Sequence, residues 1–223
     1  MESFFSPEIY DSFIKIIWPA LGATFRMLIV SAGFSTIFGF VFAIVLIVTD
    51  TRGLYPNPLL YKFLDIIINT IRSFPFIILL VAIIPFTRMI VGTSIGEQAA
   101  IVPLTISATP FIARIIEGSL REVDPQIIEA AKSFGASESQ IIFKVIMVEA
   151  LPSMLSGIIL AVISILGGTA MAGVVGAGGL GAVALLYGYQ SFNTEIMVVT
   201  VILLIIIVQV IQTTGNFVYK KLR

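Results

Sequence analysis

The run from Met27 to Thr49 carries no charged residue. Wound as a helix at about 1.5 Å per residue, its roughly 22 residues cover about 33 Å, enough to cross the hydrocarbon core of a bilayer. Several further runs reach or approach that length. The whole chain is 58% hydrophobic and only 12% charged over 223 residues, whereas a soluble domain is about 45–50% apolar and about 25% charged. No water-soluble fold of this size could hide so much apolar surface. The reading is an all-α membrane protein of five transmembrane helices in a single domain, 1–223. The spans are expected at about 20–49, 59–86, 97–118, 151–176 and 196–219.

The chain has no Cys and no His. That excludes disulfides, His-ligated metals, thiol nucleophiles and imidazole bases, and no cofactor is expected. The start does not resemble a signal peptide, because it opens with Glu2, Glu8 and Asp11 where Lys or Arg would stand. Ser6-Pro7 has the pattern of an N-cap with Pro at the first helical position, and Ile9/Tyr10, Phe13/Ile14 and Ile17/Trp18 recur every four residues. This predicts a short amphipathic helix lying in the interface, with Trp18 at headgroup level. The second span contains Pro75, which should kink or break it, and Thr87–Gln98 reads as a loop. The third holds Pro103 and Pro110, with Thr105, Ser107 and Thr109 near enough to satisfy freed backbone groups. A Gly-rich turn and an aromatic stretch follow the fourth.

Basic residues set the topology. Arg52, Lys62, Arg114, Arg121, Lys132, Lys144, Lys220, Lys221 and Arg223 fall on one side, against Lys15, Arg26 and Arg88 on the other. The richer side is the cytoplasm. Five spans then place the N-terminus outside and the C-terminus inside.

The only long polar interruption, Asp124 to Pro152, lies on the cytoplasmic side. Asp124-Pro125 reads as an N-cap and first helical residue, Gly135 as a helix terminator, and Ser137 with Gln140 as a capping box. The pattern predicts two helices of about ten residues hinged at Gly135-Ala136. Isolated helices that short are marginal in water and need a surface to dock on. That surface could be the chain's own spans or a separate soluble protein.

Glu129-Ala130-Ala131, three further residues and Gly135 resemble the EAA loop of bacterial ABC importer permeases. The pattern continues to Val145, but Met147-Val148 stand where Leu-Pro is expected, and Leu151-Pro152 comes four residues later. Resemblance extends over the whole chain and is closest to the methionine-import branch. It is carried by RSFPFIILL from Arg72, IPFTRMIVGTSIG from Ile84, AAIVPLT from Ala99, PFIAR from Pro110 and GAGGLG from Gly176.

The resemblance implies the permease fold of a type I importer, in the bacterial inner membrane, with a coupling loop at 122–150. It implies a homodimer around a central path, two cytoplasmic ATPase subunits and an extracytoplasmic methionine-binding protein. Glu129, Ala130, Ala131, Gly135 and Ala136 would contact the ATPase, and Met171, with Gly168 and Thr169, would line or gate the path. The small residues near Met171 also suit helix packing. Another amino acid or a small amine is the second choice of substrate.

Arg72 is a candidate intramembrane charge, with snorkelling at the cytoplasmic end as the more modest reading. Asn193, Glu195 and the aromatic stretch from Tyr187 to Phe192 could meet the binding protein or form an interfacial belt. No GxxxxGK[ST] sequence occurs, so ATP hydrolysis would reside on a partner. A membrane-embedded enzyme would need paired acids or a nucleophile with a base, and Asp65 is the clear acidic candidate in the spans. An ion channel would need a repeated polar filter, and none stands out.

Overall fold

The computed structural model describes residues 13–51 and 53–222. The expected features at Ser6-Pro7 and Ile9/Tyr10, together with Arg52 and Arg223, lie outside them. Every regular element among the described residues is helical. We number these elements α1 (Phe13–Thr49), α2 (Pro58–Ser73), α3 (Phe76–Ala82), α4 (Ile84–Val91), α5 (Glu97–Arg121), α6 (Pro125–Ser133), α7 (Glu138–Ala177), α8 (Gly179–Ala182) and α9 (Thr194–Leu222). Four of them, α1, α5, α7 and α9, are long and apolar enough to cross a membrane. The broken pair α2 and α3 supplies a fifth crossing if taken together.

α5 is the central post, packed along α1 on one side and α7 on another. Close approach to α1 depends on Gly39, where a Cβ would stand 2.8 Å from the Ile112 side chain and 3.1 Å from the Ala113 nitrogen. Pro110 in α5 has no N–H to offer the Ile106 carbonyl. The nearby hydroxyls bond one residue earlier: Thr109 Oγ1 donates to the Thr105 carbonyl at 2.7 Å, and Ser35 Oγ from α1 donates to the same oxygen at 3.3 Å. At the other end Arg26 of α1 pairs with Glu97 at 2.9 Å.

The structure departs from expectation in five places. Phe13–Ile17 runs without a break into Trp18, so the described part of the expected interfacial helix is the first turn of α1. The second span is not one kinked helix. It stops at Ser73, turns by 105° around Phe74-Pro75, and resumes as α3. Pro85 then opens α4, which ends on Gly92 at φ 81°, so Thr87–Val91 is helical where a loop was expected.

The second helix of the polar island does not end before Pro152. From Ile141 to Leu151 there is no Gly, Asn or other stop residue, so the helix continues past Pro152 as part of the 40-residue α7. The Gly-rich stretch is no simple turn either. α8 and the wide helical turn Val183–Gln190 fold back against the bundle, with Leu180 fully buried. The Leu180 N–H donates to Thr24 Oγ1 at 2.8 Å, fastening this segment to α1. Gly181 allows it, since a Cβ there would lie 2.2 Å from Ala170 Cα.

That contact generates a stability prediction. Gly181→Val puts side-chain carbon into rigid backbone and should cost more than the roughly 1–3 kcal/mol typical of overpacking. Gly33→Val, with nothing within 4 Å of its Cβ position, should stay within about 0.5 kcal/mol. Thermal unfolding of the purified chains in detergent checks the difference.

Candidate functional site

Three features have chemistry to offer: the polar island, a charge cluster beside it and a cavity among the spans. The island starts as its residues dictate. The Asp124 carboxylate accepts from the Gln126 N–H at 2.9 Å, capping α6. At the far end Gly135 has φ 78°, a region in which a Cβ is strained. Its N–H donates to the Lys132 carbonyl at 2.9 Å, while the Ala136 N–H donates to Ala131 at 3.1 Å. This pair of bonds is the Schellman arrangement that closes a helix. Ser137 and Gln140 then form a reciprocal capping box, with the Gln140 side chain 2.9 Å from the Ser137 N–H. The start of α6, the turn at Gly135 and the start of α7 are thus set by the island's own caps.

What it lacks is cover. No residue of α6 is buried. Ile128 packs against the buried cluster that includes Leu120, Val123, Ala150 and Met154, which holds one side of α6 against the bundle. Glu129 and Ala130 face outward, Ala131 is half-buried, and Phe134 at the tip is 92% exposed. Glu138 at the head of α7 hydrogen-bonds the Tyr55 hydroxyl from the α1–α2 loop and raises its pKa above the ordinary tyrosine value.

Above the island lies a feature that the sequence reading missed. Glu117 is 4% exposed. Its carboxylate lies 2.7 Å from Arg114 and 2.8 Å from Arg121, and the Tyr61 hydroxyl donates to it at 3.4 Å. Arg114 also pairs with Asp65 and donates to Asn69 at 3.2 Å, and Arg121 also pairs with Asp50. α2, α5 and the cap residue that follows α1, Asp50, thus meet in one ion network. Arg114, Glu117 and Arg121 recur at helical spacing, the signal that could have revealed it. Asp65, considered only as a catalytic acid, is one of its structural partners.

The cavity lies between α2, α3, α5 and α7, with a volume of about 540 Å³. It brings together Arg72, Gly168 and Met171 from the sequence-derived candidates, along with Ser107, Phe111 and Ser164. Thr169 is not among them: it is buried, and its hydroxyl donates to the Leu166 carbonyl at 2.7 Å. Arg72 shares the cavity with Ser107 and Phe111 from the middle of α5. Asn193 is a helix cap, its side-chain oxygen accepting from the Ile196 N–H at 3.0 Å. Phe192, 90% exposed, remains available at that end.

Residues 36–223 match the family described as binding-protein-dependent transport system inner membrane component. The chain is 43% identical to the probable D-methionine transport system permease protein MetI of Vibrio cholerae, over 92% of each chain. It is 42% identical to the methionine import system permease protein MetP of Bacillus subtilis, over 78% of each. Among solved structures it resembles a chain of the MetNI methionine ABC transporter in an inward-facing conformation. That likeness has a TM-score of 0.91 and 42% identity, and covers 98% of this chain and 100% of that one. A more distant likeness, at TM-score 0.79 and 18% identity, is to an amino acid ABC transporter with histidines, and it concerns the fold alone.

Removing Glu117 would leave two guanidinium groups facing each other in a partly buried site. Breaking a buried pair from one side costs about 3–5 kcal/mol, and partial exposure of Arg121 places Glu117→Ala near the lower figure, about 3 kcal/mol. Glu117→Gln, which keeps shape and a hydrogen-bond acceptor, should lose less. Unfolding midpoints of the two variants in detergent check the order.

Proposed function

The chain belongs to the family of binding-protein-dependent transport system inner membrane components, and from that premise we propose that it is the membrane subunit of an ATP-driven methionine importer. It lies in the inner membrane and does not itself hydrolyse ATP. Two copies form the path, two cytoplasmic ATPase subunits drive it, and an extracytoplasmic protein delivers methionine. The N-terminus is outside and the C-terminus inside.

One observation carries the coupling assignment: α6 is capped at both ends yet buries no residue of its own. A nine-residue helix has too few hydrogen bonds to be stable alone, and its exposed face ends in Phe134. A cleft on a soluble partner fits this surface. Glu129, Ala130 and Ala131 meet the ATPase along α6, and Gly135 with Ala136 holds the turn against it. The small side chain at Ala130 allows close backbone approach. Within the spans, Gly168 and Met171 line the path through the 540 Å³ cavity, with Met171 as its narrowing residue and Thr169 fixing the local helix from behind.

Ala130→Trp should therefore assemble in the membrane yet lose most uptake, because the bulk blocks docking. Gly135→Ala should weaken uptake, and Gly135→Val should weaken it more, since a β-branched residue tolerates positive φ least. Reconstitution with the ATPase and binding protein in liposomes, followed by methionine uptake and methionine-stimulated ATP hydrolysis, checks both. Full uptake by Ala130→Trp would remove the coupling assignment. Stimulation by another amino acid and not by methionine would change the substrate.

Orientation has its own test, helped by the absence of native Cys. A single Cys at Ser139 should react with a membrane-impermeant maleimide only from the cytoplasmic face, and one at Gln190 only from the outer face. The reverse labelling would invert the topology.

A further inference from the structure

The cavity among the spans contains an unmatched charge. Among the described residues Arg72 forms no ion pair or hydrogen bond, although Arg114 and Arg121, on the neighbouring α5, are both heavily paired. No Asp or Glu lines the cavity. Arg72 is exposed in the single chain and lines the cavity, and an arginine within a membrane span is costly unless an anion or water accompanies it. The break at Phe74-Pro75 keeps it there, because α2 ends just after Arg72 and the chain turns away by 105°.

The rest of the lining is complementary in kind. Ser107, half-buried, and Ser164, exposed, both line the same cavity with hydroxyls to offer. Leu104, Phe76, Phe111 and Met171 provide an apolar wall. One planar cation with two hydroxyls beside an apolar wall matches a small molecule with a carboxylate at one end and an uncharged side chain at the other. The volume of about 540 Å³ falls in the range of about 300–1,000 Å³ usual for small-molecule sites.

We infer that Arg72 is a carboxylate-binding residue of the translocation path, with Ser107 and Ser164 as supporting donors, and that the cavity is a stopping point for an apolar α-amino acid. This rests on the reading of the chain as a methionine permease. It adds that the path recognises the carboxylate and does not merely let substrate through. Arginine suits the task better than lysine, because its planar fork can hold both carboxylate oxygens.

The test uses the complete importer in liposomes with a photoactivatable diazirine analogue of methionine, and adducts are mapped by peptide mass spectrometry. Adducts are expected on α5 and α7 peptides that line the cavity. Methionine should compete with labelling about tenfold or more better than methioninamide, which lacks the carboxylate. In Arg72→Gln the two competitors should become equal, and Arg72→Lys should fall between. Monodisperse elution and intact ATPase association establish that the variants are folded. If Arg72→Gln is misfolded, Ser107→Ala with Ser164→Ala provides the second variant, with a partial loss of discrimination expected.

Wild-type complex that takes up methionine yet gives no cavity adducts, or competes equally with both compounds, overturns the inference. So does retained discrimination in Arg72→Gln. A preference present in zwitterionic vesicles but lost in anionic ones would assign the arginine to a lipid headgroup and overturn it as well. Failure of the wild type to take up methionine at all strikes the importer reading instead.

Discussion

Backbone polar groups find no water in a bilayer, and the arrangement of this chain follows from that constraint. The long helices satisfy it internally. Every interruption has to be enclosed by protein or open onto water, and the interruptions here are handled one by one. Leu180 finds its acceptor in a threonine of α1. Gly96, between α4 and α5, donates its N–H to the Gly176 carbonyl at 3.0 Å, pairing two irregular stretches with each other. The break at Phe74-Pro75 opens onto the cavity, whose lining includes Phe74. Irregular backbone thus occurs where the fold has something to do with it.

The same economy governs charge. Removing Arg114, Glu117 and Arg121 from water would be costly one at a time. At helical spacing on one face of α5 they become a scaffold, and α1 and α2 contribute Asp50 and Asp65 to complete it. Coulombic attraction and hydrogen bonds then do what apolar contact does elsewhere in the bundle, and they do it with directional geometry. The network holds α2 in register against α5, and the register of α2 sets where Arg72 ends up.

Much of this was legible in the residues. Asp124-Pro125, Gly135 and Ser137 with Gln140 have local chemistry that determines local structure, so the island's caps could be read without knowing the fold. Pro75 marked the break. Legibility failed where the answer depended on distant partners. Glu117 does not stand out in the sequence, because Arg114 and Arg121 declare themselves as its partners only once Asp65 and Asp50 are brought alongside. The face that Thr169 turns inward is set by packing, which a run of small residues does not reveal. The sequence leaves Arg72 between an intramembrane charge and a snorkelling one, because the residues that share its cavity are brought together only by the packing of α2, α3, α5 and α7.

The helical run of α7 from Glu138 to Ala172, ahead of the kink at Val175-Gly176, has a mechanical consequence. Its first turn contains the capping box beside the island, and Gly168 and Met171 lie on the same helix roughly 45 Å away at about 1.5 Å per residue. A stiff rod of that length converts angle into distance. If it tilts by about 5° around its contacts with α5, one end moves by about 4 Å relative to the other. No joint in between is required, because the chain stays helical through the wide turn Ile141–Ile146 and past Pro152. A push on the cytoplasmic tip would therefore reach the cavity as a lever stroke instead of a relay of local shifts. The gearing is set by where along α7 the fulcrum lies.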